Sequence, residues 1–124
     1  MDWNLDSSRP IWPQLEEQLK RMIVAGQFPP GEQFPTVREL AEDAKVNPNT
    51  MQRALTELER EGLLYTQRTS GRFVSEDAGM IEGLKRSGAE QKAREFYLEM
   101  VQNGLSADEI RRLLEKAIAE ETKQ

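Results

Sequence analysis

Four side chains able to read another molecule lie within five residues of one another: Asn49, Thr50, Gln52 and Arg53. Asn and Gln amides donate and accept at once, so each can pair bidentately with adenine, and Arg can do the same with guanine. Thr50 can donate to a phosphate or touch a thymine methyl. Such chemistry needs the groups to project from one end of a rigid element, and the surrounding residues supply it. Asn47 suits an N-cap, and Pro48 fits the first helical position, where its missing N–H is not needed. Met51, Ala54, Leu55 and Leu58 then recur at helical spacing and leave the four polar residues off the apolar stripe. Gly62 closes the helix. Its open N-terminus carries free N–H groups and the positive end of the helix dipole, both of which favour phosphate oxygens.

The elements around this helix are equally legible. Thr36 followed by Glu39 spells a capping box, and Val37, Leu40, Ala41 and Ala44 give a short helix one apolar face. Arg38 lies in its first turn, placed either for a phosphate or for an ion pair with Glu42 four residues on. Only a few residues separate the two helices, which is helix-turn-helix spacing. Residues 63–67 and 72–75 are short β-prone runs. Between them Gly71 can take φ > 0 at a hairpin tip, flanked by Arg68, Thr69, Ser70 and Arg72, a set suited to a minor-groove or backbone contact. Residues 59–62 read as a solvated helix end with no chemistry assigned. A helix-turn-helix followed at once by a hairpin describes a winged helix.

Composition narrows the function. The 124 residues fit one ordinary domain, or a small one with a helical extension. There is no histidine and no cysteine, so the commonest general base, the commonest zinc ligand and any thiolate chemistry are missing. No Walker or Rossmann glycine loop occurs, no cofactor or metal site is expected, and an enzyme is the last-ranked reading. No apolar run nears the roughly 20 residues of a spanning helix, and the start does not resemble a signal peptide. A cytoplasmic protein away from membranes is expected. The net charge is −5, from 17 basic and 22 acidic residues, which disfavours bulk attraction to nucleic acid. Residues 45–72 nonetheless hold Lys45, Arg53, Arg60, Arg68 and Arg72 against Glu57, Glu59 and Glu61, a locally positive stretch.

Helical patterns flank this region. Ile11, Leu15, Leu19, Met22 and Ile23 predict a first helix over residues 11 or 12 to 25, with residues 28–35 as a turn-rich connector. Residues 79–103 read as one long helix, with Gly83 and Gly88 as points of disturbance. Ser106 and Glu109 form a second capping box before a final amphipathic helix.

The stretch FPPGEQFPTVRELAEDAKVNPNTMQRALTELEREGLLYTQRTSGRFV resembles the DNA-binding domain of the GntR family of bacterial transcription regulators. The resemblance covers residues 11 to 74, and the NPNT start, short tail and two terminal helices resemble the YtrA-type subfamily. It implies a mainly α protein: a winged helix-turn-helix DNA-binding domain over residues 1–76, then a two-helix dimerisation region over residues 77–124. It implies a homodimer that binds double-stranded DNA at a palindromic operator and represses, with a transporter operon as the expected target and the small-molecule effector unspecified. By position, Arg38, Asn49, Thr50, Gln52 and the wing around Gly71 match the family's DNA contacts. Two departures stand out. Lys45 fills a turn position where Gly is common, and Thr69 and Arg72 replace the usual Gly and Thr of the wing. Two terminal helices cannot enclose a ligand pocket alone. They can bury matching stripes across a two-fold axis, so Phe96, Tyr97, Met100, Val101, Leu113, Leu114 and Ile118 are assigned to dimerisation. The competing reading is a winged-helix protein-interaction module that does not read DNA, favoured by the acidic net charge.

Overall fold

Local signals set the element boundaries. The computed structural model describes residues 1–123. Its elements are α1 (Ile11–Val24), α2 (Val37–Ala44), α3 (Pro48–Arg60), β1 (Leu64–Gln67), β2 (Gly71–Val74), α4 (Ala78–Gln102) and α5 (Ala107–Glu121). Asn47 caps α3 through its Oδ1, which accepts from the Asn49 N–H at 2.7 Å. At α2, Thr36 accepts from the Glu39 N–H at 3.1 Å. Among the described residues the return bond from the Thr36 N–H to the Glu39 carboxylate is not made, so half of the expected capping box forms. Ser106 and Glu109 form both halves of theirs, at 3.1 and 3.2 Å.

The turn between α2 and α3 is tight because Lys45 adopts the left-handed conformation, φ 58°. An L-residue there is disfavoured by about 1–2 kcal/mol. The N–H groups of Lys45 and Val46 compensate by bonding back to the Glu42 and Ala41 carbonyls at 3.3 and 3.0 Å. Buried Ala41 and Ala44 add little bulk, which lets α2 seat against α3. Helix α3 also lies along α1, and Leu15, Leu19, Ile23, Met51, Leu55 and Leu58 are fully buried in one cluster. Full burial of side chains of this size contributes about 1.5–3 kcal/mol each, and this holds α3 as a rigid rod.

The wing is an antiparallel hairpin with register Leu64↔Val74, Tyr65↔Phe73, Thr66↔Arg72 and Gln67↔Gly71. Alternation sends Leu64 and Val74 into the core. The connector before α2 runs along the open side of β2. Gly31 and Phe34 donate their N–H groups to Val74 and Arg72 carbonyls at 3.0 and 2.8 Å, and Val74 donates to Glu32 at 2.9 Å. The N-terminal segment is strapped onto α1 by two glutamines one turn apart. Gln18 exchanges bonds with the Asn4 backbone at 3.0 and 2.7 Å, and Gln14 does the same with Asp6 at 2.7 and 2.9 Å.

The chain divides into two compact units, the first running from Met1 to Lys85 and the second starting at Arg86. The first therefore extends past residue 76, because Met80, Ile81 and Leu84 from the start of α4 pack onto its core. Helix α4 runs unbroken through Gly83 and Gly88. In the second unit Ile110 is buried, while Tyr97, Leu98, Val101, Leu113, Leu114 and Ile118 are exposed and Phe96 and Met100 half-buried. Phe96, Tyr97, Ile110 and Leu114 line a groove of about 400 Å³ between the two helices of that unit.

Candidate nucleic-acid interface

Because α3 turns its apolar stripe wholly inward, its remaining faces are free at the N-terminal end. Asn49, Gln52 and Arg53 are exposed and Thr50 is half-buried. Gln52 does not extend freely. Its Nε2 donates to the Thr56 hydroxyl at 3.2 Å, and that hydroxyl donates to the Gln52 carbonyl at 2.9 Å. Arg53 lies against α1, its guanidinium carbon 4.4 Å from the centroid of the Trp12 ring. A cation over an indole face is attracted by the ring quadrupole, so Trp12 fixes the direction in which Arg53 leaves the helix.

Arg38 is exposed and makes no ion pair with Glu42. It borders a groove of about 360 Å³ whose walls include Thr36, Thr66, Gly71 and Arg72, so the first turn of α2 and the wing face a common space. Arg68, Ser70 and Gly71 are exposed at the wing tip, and Gly71 has φ 96°. Arg72 departs from the expected placement. Its Nε donates to Glu59 Oε1 at 2.6 Å, and its side chain is only 19% exposed. The cause is the register: Arg72 and Thr66 sit on the same rung, pointing at the end of α3, where Glu59 accepts from both.

Residues 59–62 are accordingly not a plain solvated helix end. Glu59 grips the wing, and Glu61 pairs with Lys20 at 3.3 Å beside Glu16. Burial, followed by the hydrogen bond and charge of Glu61, pushes the Glu16 carboxyl up to about 7. Glu57 pairs with Arg60 and is held below the usual carboxylate range by that bond. Two of the five cations of residues 45–72 are thereby neutralised. Among the described residues Arg38, Lys45, Arg53 and Arg68 keep no ion-pair partner, and these four leave a positive region in an acidic chain.

Four contributors escaped the sequence: Trp12, Thr56, Glu59 and Gln33, whose Nε2 donates to the Ser70 carbonyl at 2.7 Å. Only Thr56, one turn beyond Gln52, carried a usable signal; the others act across long stretches of chain. Among the described residues no cluster of three His, Cys, Asp or Glu side chains could hold a metal ion, and no helix is long and apolar enough to cross a membrane.

A short helix, a tight turn, a second helix with polar side chains on its first turns and a two-stranded wing define a winged helix-turn-helix protein. Residues 13–74 match the family described as "Bacterial regulatory proteins, gntR family". The chain belongs to this family and is a transcriptional regulator of the GntR type. It is 37% identical over 110 residues to the uncharacterized HTH-type transcriptional regulator YhcF of Bacillus subtilis (strain 168), covering 89% of this chain and 91% of that one. It is 33% identical over 116 residues to the HTH-type transcriptional repressor YtrA of the same organism, covering 92% and 88%. A GntR family transcriptional regulator from Listeria monocytogenes superposes with TM-score 0.84 at 37% identity, over 90% of this chain and 98% of that one.

Proposed function

We propose that this chain is a dimeric, sequence-specific DNA-binding repressor of a palindromic operator. The observation that carries the reading is the first two turns of α3. Asn49, Thr50 and Gln52 stand there outside the core, beside a helix N-terminus, on a rod immobilised by fully buried leucines. In this reading α3 enters the major groove, and Gln52 and Asn49 meet base edges. Arg38, Arg53 and Arg68 neutralise phosphates, Thr50 adds a polar contact, and the tip at Ser70 and Gly71 approaches the backbone or minor groove. Dimerisation would use Phe96, Tyr97, Met100, Val101, Leu113, Leu114 and Ile118. Exposed apolar side chains at this density gain a partner most simply from the same face of a second copy. The dimer would place two half-sites about 34 Å apart, or a multiple of it. The similarity to a repressor favours repression, with a transporter operon as the proposed target, in the cytoplasm where the chromosome lies.

The test is selection of binding sites from random-sequence duplexes by the full chain. Enrichment of an inverted repeat with half-sites one or two turns apart supports the proposal. Enrichment of nothing would favour a winged helix that serves a protein partner.

A further inference from the structure

We propose that Gln33 and Glu59 are positioning residues that hold the wing for DNA reading, Gln33 tying it to the connector before α2 and Glu59 to the recognition helix. In the same proposal Arg72 is their internal strut and makes no phosphate contact. This rests on the DNA-binding reading above. A hairpin of two four-residue strands is marginal by itself, so a wing that must meet DNA at one place needs holding from outside. Beyond the backbone bonds from the connector, two side-chain holds act near the tip, from two different elements.

The first hold is at the tip. Gln33 pairs with Phe73 as an isolated bridge, and its side-chain amide reaches on to the Ser70 carbonyl at 2.7 Å. Gln33 Nε2 lies against Gly71, where a Cβ would meet it at 3.4 Å, an ordinary contact distance. The second hold is at the third rung. Glu59 takes the Arg72 Nε at 2.6 Å and the Thr66 hydroxyl, so a single carboxylate grips both strands where they face each other. Glu59 follows Gln52 by seven residues on the same helix, two turns or about 10 Å along the rod. The wing is thereby referenced to the side chain that reads the base. The pair is partly withdrawn from water, 19% exposed on Arg72 and 28% on Glu59, so salt screens it less than a surface pair.

The electrostatic consequence separates this account from the obvious one. Were Arg72 a phosphate contact, it would release a counterion and steepen the salt dependence by about 0.9 per protomer. Neutralised by Glu59, it adds nothing to that slope, and the wing's cation is Arg68 alone.

The experiment uses the full chain with Gln33→Ala, Glu59→Gln, Arg72→Gln, Arg72→Lys and the double variant Glu59→Gln/Arg72→Gln. Thermal melts first establish that each is folded. Amide hydrogen exchange at Ser70 and Gly71 in the free protein reads the brace directly. Anisotropy on the selected duplex and a scrambled one, across a salt series, reads its effect. The expected result is wing-tip exchange about tenfold faster in Gln33→Ala, Glu59→Gln and Arg72→Gln, with specific affinity down about five- to tenfold. The double variant should be no worse than either of its singles, Arg72→Lys should recover part of the loss, and the salt slope of Arg72→Gln should equal that of the parent. A slope reduced by about 0.9 per protomer in Arg72→Gln would overturn the proposal. So would unchanged wing-tip exchange in every variant. A parent chain that discriminates between no duplexes would instead defeat the DNA-binding reading itself, a result visible before any variant is compared.

Discussion

Replacing Gln52 by Ala removes a side chain proposed to read a base while leaving the fold intact. Gln52 is exposed, on the side of α3 away from the buried Met51, Ala54, Leu55 and Leu58, and Ala is at least as good a helix former. A bidentate amide–adenine pair contributes about 1–3 kcal/mol of discrimination at each half-site. In the free protein the Gln52 amide already donates to Thr56 at 3.2 Å, and engaging a base forfeits that exposed bond, worth about 0.5 kcal/mol. The net loss is then about 0.5–2.5 kcal/mol per half-site, and a dimer on two half-sites loses roughly five- to several-thousand-fold in affinity. Anisotropy titrations on the selected operator, and on duplexes altered at one base pair at a time, measure it. Gln52→Ala should flatten the preference at one position in each half-site and spare the scrambled duplex. The salt slope should stay that of the parent, because a neutral side chain releases no counterion. Equal loss on operator and scrambled duplex, or an unchanged base preference, would refute the assignment of Gln52 to base reading.

Three further outcomes follow from the structure. The Glu16 carboxyl holds its proton more tightly when folded, up to about 7 against an ordinary 4.5, through burial and then through Glu61, with Lys20 opposing and Glu57 adding to the effect. Its contribution to stability is therefore intact below about pH 4.5, falls as pH rises from there through 7, and levels off above. Glu16→Gln should stabilise the protein above pH 7 by on the order of 1 kcal/mol, discounted because the carboxyl is partly exposed, and should do so little below pH 4.5; urea unfolding at the two pH values checks the sign. Lys45→Gly relieves a left-handed residue disfavoured by about 1–2 kcal/mol, partly offset by the greater freedom of an unfolded glycine, so a net gain of about 0.5–1 kcal/mol is expected in denaturant unfolding. Leu114→Glu puts a charge on the exposed apolar face of α5 and, with the dimerisation proposed above, should convert dimers to monomers in analytical ultracentrifugation, with little change in helical content by circular dichroism.

Sequence legibility followed the range of the interactions. Asn47-Pro48, Ser106 with Glu109, and Gly62 act within a turn of their own positions, so the helix ends could be read directly. The wing was legible because two β-prone runs flank a single Gly71. The end of the first unit was not, since the apolar positions of α4 continue smoothly, while Met80, Ile81 and Leu84 pack on the first unit's core and Phe96 and Tyr97 belong to the second unit. Residue types placed candidate groups at the interface but could not say which were already engaged. Arg53 meets Trp12 across 41 positions, and Arg72 meets Glu59 across 13. Both partners look like ordinary surface or core residues in the chain, and only the packing of α1 and the wing against α3 brings them to an arginine.

The most direct test of the central claim is affinity of the full-length protein for DNA upstream of its own gene, measured by anisotropy across a salt series against a scrambled duplex of equal length. A sequence-specific regulator should favour its site by about a thousandfold or more at physiological salt, with the advantage persisting as salt weakens both complexes. If the operator lies elsewhere, the duplex recovered by random-sequence selection takes its place in the same titration. Equal and weak binding to that duplex and its scrambled control would contradict the account, leaving α3 and its wing to recognise something other than DNA sequence.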